Sequence, residues 1–150
     1  MGAMTFGSQA DREESRRIVD RCLDVGINFF DTANVYNQGK SEELLGEALG
    51  SRRQGIILAS KVRGVMKVPT DHSGLSREAI RCALNASLDR LQTDYLDIYY
   101  LHLPDYDTPI EESLAAMDEL KQEGKIRYLA TSNYSAWQMC EMFTICEREG

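Results

Sequence analysis

The chain has 150 residues, 43% of them apolar, with 11 glycines and 3 prolines. That balance argues against disorder and fits one globular domain with a core of its own, spanning residues 1–150. Basic side chains number 17 against 24 acidic ones, a formal net charge of −7, and no basic cluster exists to neutralise a phosphate backbone, so nucleic acid is not an expected partner.

The opening "MGAMTFG" lacks the basic and long apolar regions of a leader, and no apolar stretch reaches the roughly 18 residues that cross a bilayer. A cytoplasmic protein with no membrane contact is expected. Over residues 11–25, Ile18, Val19, Cys22 and Leu23 share one face of an amphipathic helix that Gly26 stops. The apolar run "INFF" follows and ends on Asp31, as expected of a strand buried on both faces of a parallel sheet. Ser41 ahead of Glu42 and Glu43 is placed to cap a helix that runs through Leu49 and closes at Gly50. "GIILASK" is the next strand. A loop with Gly64, Pro69 and Gly74 leads to Ser76, after which Ile80, Leu84, Leu88 and Leu91 recur at helical spacing. "LDIYYLH" reads as a strand. Thr108, Pro109 and Glu111 have the spacing of a capping box with proline at the first helical position, heading a helix with Ile110, Leu114, Met117 and Leu120 that stops at Gly124. "KIRYLATSN" is the last strand, and residues 135–149 form the last helix.

Strand and helix alternate without linker or low-complexity tract, which points to a parallel sheet covered by helices. A doubly wound open sheet normally carries a Gly-rich phosphate loop after its first strand, and none is present. The other architecture is the (β/α)8 TIM barrel, an α/β fold of roughly 250 residues, of which this chain supplies about five strand-helix units.

Polar residues recur where the strands end: Asp31, Lys61, His102, then Ser132 with Asn133. In a parallel sheet these carboxyl ends share one rim, where barrel enzymes place their chemistry, and Tyr36 follows from the loop after Asp31. Any one such residue could simply mark where a strand meets water. Four consecutive strands weaken that explanation.

The sequence resembles the aldo-keto reductases. The residues that carry the likeness are "DTANVY" running on into "SEELLGEAL", the lysine of "ASK", the histidine of "DYLDIYYLH" and the Ser-Asn pair closing "GKIRYLATSN". The resemblance implies a catalytic tetrad of Asp31, Tyr36, Lys61 and His102, and an oxidoreductase that moves hydride between NADP(H) and small aldehydes or ketones. It implies further that Ser132 and Asn133 hold the carboxamide of the nicotinamide cofactor, with Ala3, Met4 and Asp31 also at the cofactor. In this role Tyr36 donates the proton, Lys61 stabilises the phenolate left behind, Asp31 holds Lys61, and His102 orients the carbonyl. Two departures stand out: Gly2-Ala3 replaces the family's Gly-Thr, and Asn37 replaces a glycine that commonly follows the tyrosine.

Relative to the family, the chain starts inside or beside the first strand and stops after the fifth helix, as a fragment of a longer enzyme would. An unclosed half-barrel exposes its strand edges and its interior, so self-association is expected if the chain acts alone. The competing reading is a non-catalytic, cofactor-binding regulatory member of the family, or a truncated stretch that is inert. Cys22, Cys82, Cys140 and Cys146 lack the spacing of a metal site or a redox pair and read as buried or half-buried thiols on helix faces, with no metal expected. His72 reads as a solvated loop residue, and Trp137, Met139, Met142 and Phe143 as the packed face of the last helix. Tyr106 suits either a surface loop or a substrate pocket. Pocket walls come from variable loops, here residues 62–75 among them.

Overall fold

The computed structural model describes residues 1–67 and 73–149. Four strands form one parallel sheet in the order β1 (Phe29–Asp31), β2 (Ile57–Val62), β3 (Leu96–Leu101) and β4 (Ile126–Thr131). Parallel neighbours need a crossover, and each is supplied by a helix: α2 (Lys40–Leu49), α3 (Arg77–Leu91) and α4 (Ile110–Gln122), with α1 (Arg12–Asp24) before the sheet and α5 (Ala136–Glu149) after it. In register, Asp31 lies beside Ala59, Ala59 beside Ile98 and Ile98 beside Tyr128, while Lys61 pairs with Tyr100 and Tyr100 with Ala130. Lys61 therefore stands further up than Asp31 and His102 further up than Lys61, while Ser132 after β4 is level with His102.

Residues 1–3 run beside β1 without adding a full strand. The Asp31 N–H donates to the Met1 carbonyl at 2.9 Å and the Ala3 N–H donates to the Asp31 carbonyl at 2.8 Å, leaving a single parallel bridge between Gly2 and Asp31. The chain then turns at once, with the Phe6 N–H donating back to the Ala3 carbonyl. Too few residues remain extended for a ladder, so four strands stand where five units were expected among the described residues.

The core lies between the sheet and the helices. Phe30, Leu58, Tyr99 and Leu101 are fully buried in one cluster with Val19 of α1, Leu45 of α2, Ile80 and Leu84 of α3 and Leu120 of α4. The opposite face of the strands is open: Phe29 is 39% exposed, Ile57 40% and Tyr128 68%. The expectation of a strand buried on both faces is therefore corrected for β1, because helices cover only the outer side.

Two helix caps also differ from expectation. Asp11 caps α1 by accepting from the Glu14 N–H, and Ser76 caps α3 by accepting from the Ala79 N–H. Ser41, in contrast, lies inside the first turn of α2, where Gly39 takes the N-cap with φ +88°. The left-handed residues Asn37 and Gln38 start the helix early and turn the serine into the core. At α4 the cap is Pro109, and the Thr108 hydroxyl donates to the Asp105 carboxylate at 3.0 Å instead of closing a capping box. An ionised acceptor makes the stronger bond.

On α5 only Met142 of the four expected packing residues is buried. Trp137 and Phe143 are about two-thirds exposed, and Met139 is exposed too, since the helix turns its buried Met142 and Ile145 to the core and the described residues offer nothing against its other flank. Cys140 and Cys146 are likewise exposed rather than half-buried, whereas Cys22 and Cys82 are half-buried. Tyr106 projects from the β3–α4 loop. His72 lies outside the described residues. No helix among the described residues is long and apolar enough to cross a membrane.

Candidate active site

Strand alternation decides which residues share the open face. Residues two apart point the same way, so Phe29 and Asp31 on β1, Ile57, Ala59 and Lys61 on β2, and Ile98 and Tyr100 on β3 line it together. At its carboxyl end the apolar lining gives way to charge. Lys61 is almost completely buried, and its ammonium donates to Asp31 Oδ1 at 2.5 Å, to the Thr32 carbonyl at 2.7 Å and to the Tyr36 hydroxyl at 3.4 Å. An ammonium has three protons, so all are committed.

Tyr36 reaches this cation from the loop after β1. Lys61 Nζ stands 4.9 Å from the centre of the Tyr36 ring, and the His102 ring meets that same ring edge-on at 5.7 Å and 83°. His102 follows directly on β3, its N–H donating to the Val62 carbonyl at 3.0 Å. Burial, and next the Lys61 ammonium, hold its imidazole below the usual histidine range, with Asp31 opposing them in part. The neutral ring offers one donor and one acceptor nitrogen. Asp31, Tyr36, Lys61 and His102, separated by up to 71 positions in the chain, thus meet at one point of the rim.

Ser132 and Asn133 follow β4 on the same rim. Asn133 has φ +61°, a left-handed conformation that asparagine tolerates, and its Nδ2 donates to the His102 carbonyl at 2.8 Å and to Ser132 Oγ at 2.9 Å. Both amide protons are thereby used, and Oδ1 accepts no bond among the described residues. A hydroxyl able to donate sits beside an amide oxygen able to accept. That pair is the complement of a primary carboxamide, so these residues fit the nicotinamide end of a cofactor.

Ala3, also expected at the cofactor, has its backbone groups engaged within the chain. It is fully buried, its N–H is given to Asp31, and its carbonyl accepts from both the Phe6 N–H and the Ser41 hydroxyl. These groups anchor the N-terminal residues to β1 and to Ser41 of α2. Met4 is 60% exposed, and its carbonyl accepts from the Asn37 side chain at 3.0 Å. The residues that sequence reasoning overlooked are Thr32, whose carbonyl receives a Lys61 proton, and Tyr100, whose ring centre lies 5.8 Å from Lys61 Nζ. Tyr100 could have been found, since it is two residues before His102 on a strand. The Thr32 carbonyl carries no side-chain signal.

Size alone would not have located this site. A groove of about 1180 Å3 runs along α1 and the end of α2 and contains none of these residues.

Comparison with known proteins bears on the family and the fold. The family described as "Aldo/keto reductase family" matches residues 1–149. The chain belongs to that family. Among solved structures, the holo form of aldo-keto reductase AKR11C1 from Bacillus halodurans superposes with a TM-score of 0.85 at 44% identity, covering 94% of this chain and 47% of that one. The parallel α/β sheet of this aldo/keto reductase chain accordingly matches part of the (β/α)8 barrel of that neighbour. Curated relatives include a probable voltage-gated potassium channel subunit beta of Arabidopsis thaliana, 43% identical over 97% of this chain, and the human aldo-keto reductase family 7 member A3, 39% identical over 100% of this chain. The chain spans 45% of each of those relatives, about half their length.

Proposed function

We propose that the complete protein is an NADP(H)-dependent carbonyl reductase acting on small aldehydes and ketones, with Tyr36 as proton donor. The observation that carries this reading is the Lys61 ammonium, bonded to Asp31 at 2.5 Å and lying 3.4 Å from the Tyr36 hydroxyl with His102 alongside. A bound nicotinamide cofactor supplies the hydride. The carbonyl π electrons move to oxygen as hydride reaches carbon, and the Tyr36 O–H gives that oxygen its proton. The phenolate left behind is stabilised by the Lys61 cation until solvent restores its proton, and Asp31 keeps the cation in place. Neutral His102 donates one N–H to the substrate oxygen and so orients it. Ser132 Oγ and Asn133 Oδ1 would hold the cofactor's carboxamide, and Asp31, whose Oδ1 is taken by Lys61, would offer Oδ2 to a cofactor hydroxyl. The compartment proposed is the cytoplasm, and the partners are small carbonyl compounds rather than nucleic acid or membrane.

In the complete protein, Tyr36→Phe is expected to lower carbonyl reduction by at least about a hundredfold while cofactor still binds. Stopped-flow and fluorescence titration measure the two, and turnover equal to wild type would refute the assignment. A regulatory, non-catalytic reading draws support from the name of the Arabidopsis relative. Multiple turnovers of NADPH with an aldehyde panel decide for the enzyme, and binding without turnover decides for the regulator.

A further inference from the structure

Thr32 is fully buried directly behind the site, and each of its polar groups is in use. Its N–H donates to the Ala59 carbonyl at 3.0 Å, its carbonyl accepts from Lys61 Nζ at 2.7 Å, and its hydroxyl lies 2.8 Å from Ser41 Oγ. Ser41, also fully buried, contacts the Ala3 carbonyl at 2.6 Å. A carbonyl cannot donate, so the Ser41 proton points to Ala3 and the Thr32 hydroxyl must be the donor to Ser41. The direction of the chain is thereby settled: Thr32 to Ser41 to Ala3. Ala3 in turn donates its N–H to the Asp31 carbonyl at 2.8 Å. The Asp31–Thr32 segment, which supplies two of the three acceptors of Lys61, is thus clamped from both ends against the first turn of α2.

We infer that Thr32 and Ser41 are positioning residues for Lys61, holding the Thr32 carbonyl so that the third ammonium proton is directed to Tyr36. Such a role uses binding geometry rather than contact with substrate. An ammonium that loses one fixed acceptor rotates, and its weakest bond, the 3.4 Å one to Tyr36, is the first to be redistributed. The inference rests on the proposed reductase reading for its consequence in catalysis, but the geometry it describes is independent of turnover.

The test compares Thr32→Val, which keeps the branched shape and removes the hydroxyl, with Thr32→Ser, which restores it, and with Ser41→Ala, all in the complete protein. Thr32→Val and Ser41→Ala are expected to lower kcat about tenfold with KM nearly unchanged, while Thr32→Ser stays near wild type. The second readout is the Lys61 ammonium signal in 1H–15N correlation NMR, assigned with Lys61→Met. A three-bonded ammonium exchanges slowly with water, and loss of the clamp should broaden its signal. If Thr32→Val does not fold, Ser41→Ala supplies the same comparison from the other side of the bond. Wild-type kcat and ammonium signal in a folded variant lacking either hydroxyl would overturn the inference. A wild-type protein without turnover whose ammonium signal still broadens in these variants would sink the reductase reading and leave the positioning intact.

Discussion

Asn37 shows how a single departure from a family pattern is absorbed. Its backbone is left-handed at φ +50°, a region glycine enters freely and asparagine more readily than most residues. The side chain contributes something glycine cannot: Nδ2 donates to the Phe6 carbonyl at 2.7 Å and to the Met4 carbonyl at 3.0 Å, tying the N-terminal turn to the residue after Tyr36. Gln38, also left-handed, accepts from the Lys67 N–H at 2.8 Å and anchors the β2–α3 loop to the same place. Asn37→Gly is expected to cost about 1 kcal/mol for the lost bonds, and Asn37→Ala about 2–3 kcal/mol, because alanine keeps the left-handed strain that glycine escapes and lacks the polar side chain that lets asparagine tolerate it. Urea unfolding of the two variants measures the difference, and an equal loss in both would show that strain plays no part. Asparagine after Tyr36 was legible as a departure. Its compensation was not, because the partners lie about thirty residues away in sequence.

Helix packing accounts for several features that local pattern misread. Gly46 sits where α2 crosses the end of α3, and a β-carbon there would lie 2.7 Å from the Leu91 carbonyl oxygen and 2.8 Å from that of Arg90. Both are backbone atoms that cannot swing aside. Alanine favours helix over glycine by roughly 1 kcal/mol, yet overpacking costs about 1–3 kcal/mol. Gly46→Ala is therefore expected to be destabilising on balance, seen as a lower Tm, and a raised Tm would mean that the two helices can separate without penalty. The same contact holds a buried ion pair. Glu42 is fully buried on α2, accepts from Arg90 Nε on α3 at 2.7 Å and from Ser60 Oγ on β2 at 2.5 Å, and burial raises its carboxyl above the usual range against the pull of Arg90. A sequence reader sees Ser41, Glu42 and Glu43 as a helix start facing water. Two of the three are core groups here, because Gly39 rather than Ser41 begins the helix.

At the scale of the molecule, one sheet holds the site at its carboxyl rim and leaves an apolar face open beneath it. As a separate chain, residues 1–150 are expected to associate through Phe29, Ile57 and Tyr128, which sedimentation velocity would show as concentration-dependent growth in mass. A monomer across the micromolar range would argue that the open face is tolerated. His102 makes folding pH-dependent. Its folded-state value lies below the ordinary 6.5, so the unfolded chain binds the proton more readily. The contribution of His102 is complete above the ordinary value and is lost as pH falls from there through the folded-state value. Stability of wild type should therefore decline more steeply below pH 6.5 than that of His102→Asn, and parallel curves would remove histidine burial from the account.

The alternation of strand and helix, the parallel sheet and the polar residue at each strand end all followed from the sequence alone, since periodicity and punctuation are local properties. The tertiary structure decided which of those ends touch. Lys61 finds Asp31 from thirty positions away because the register between β1 and β2 sets it one step further up the rim, and register is fixed by packing of side chains that no single strand contains. It also decided that Ala3 anchors the fold and that the Ser41 hydroxyl turns inward. Local pattern specifies which face a residue takes, whereas its neighbour on that face depends on how distant segments bury their surface together.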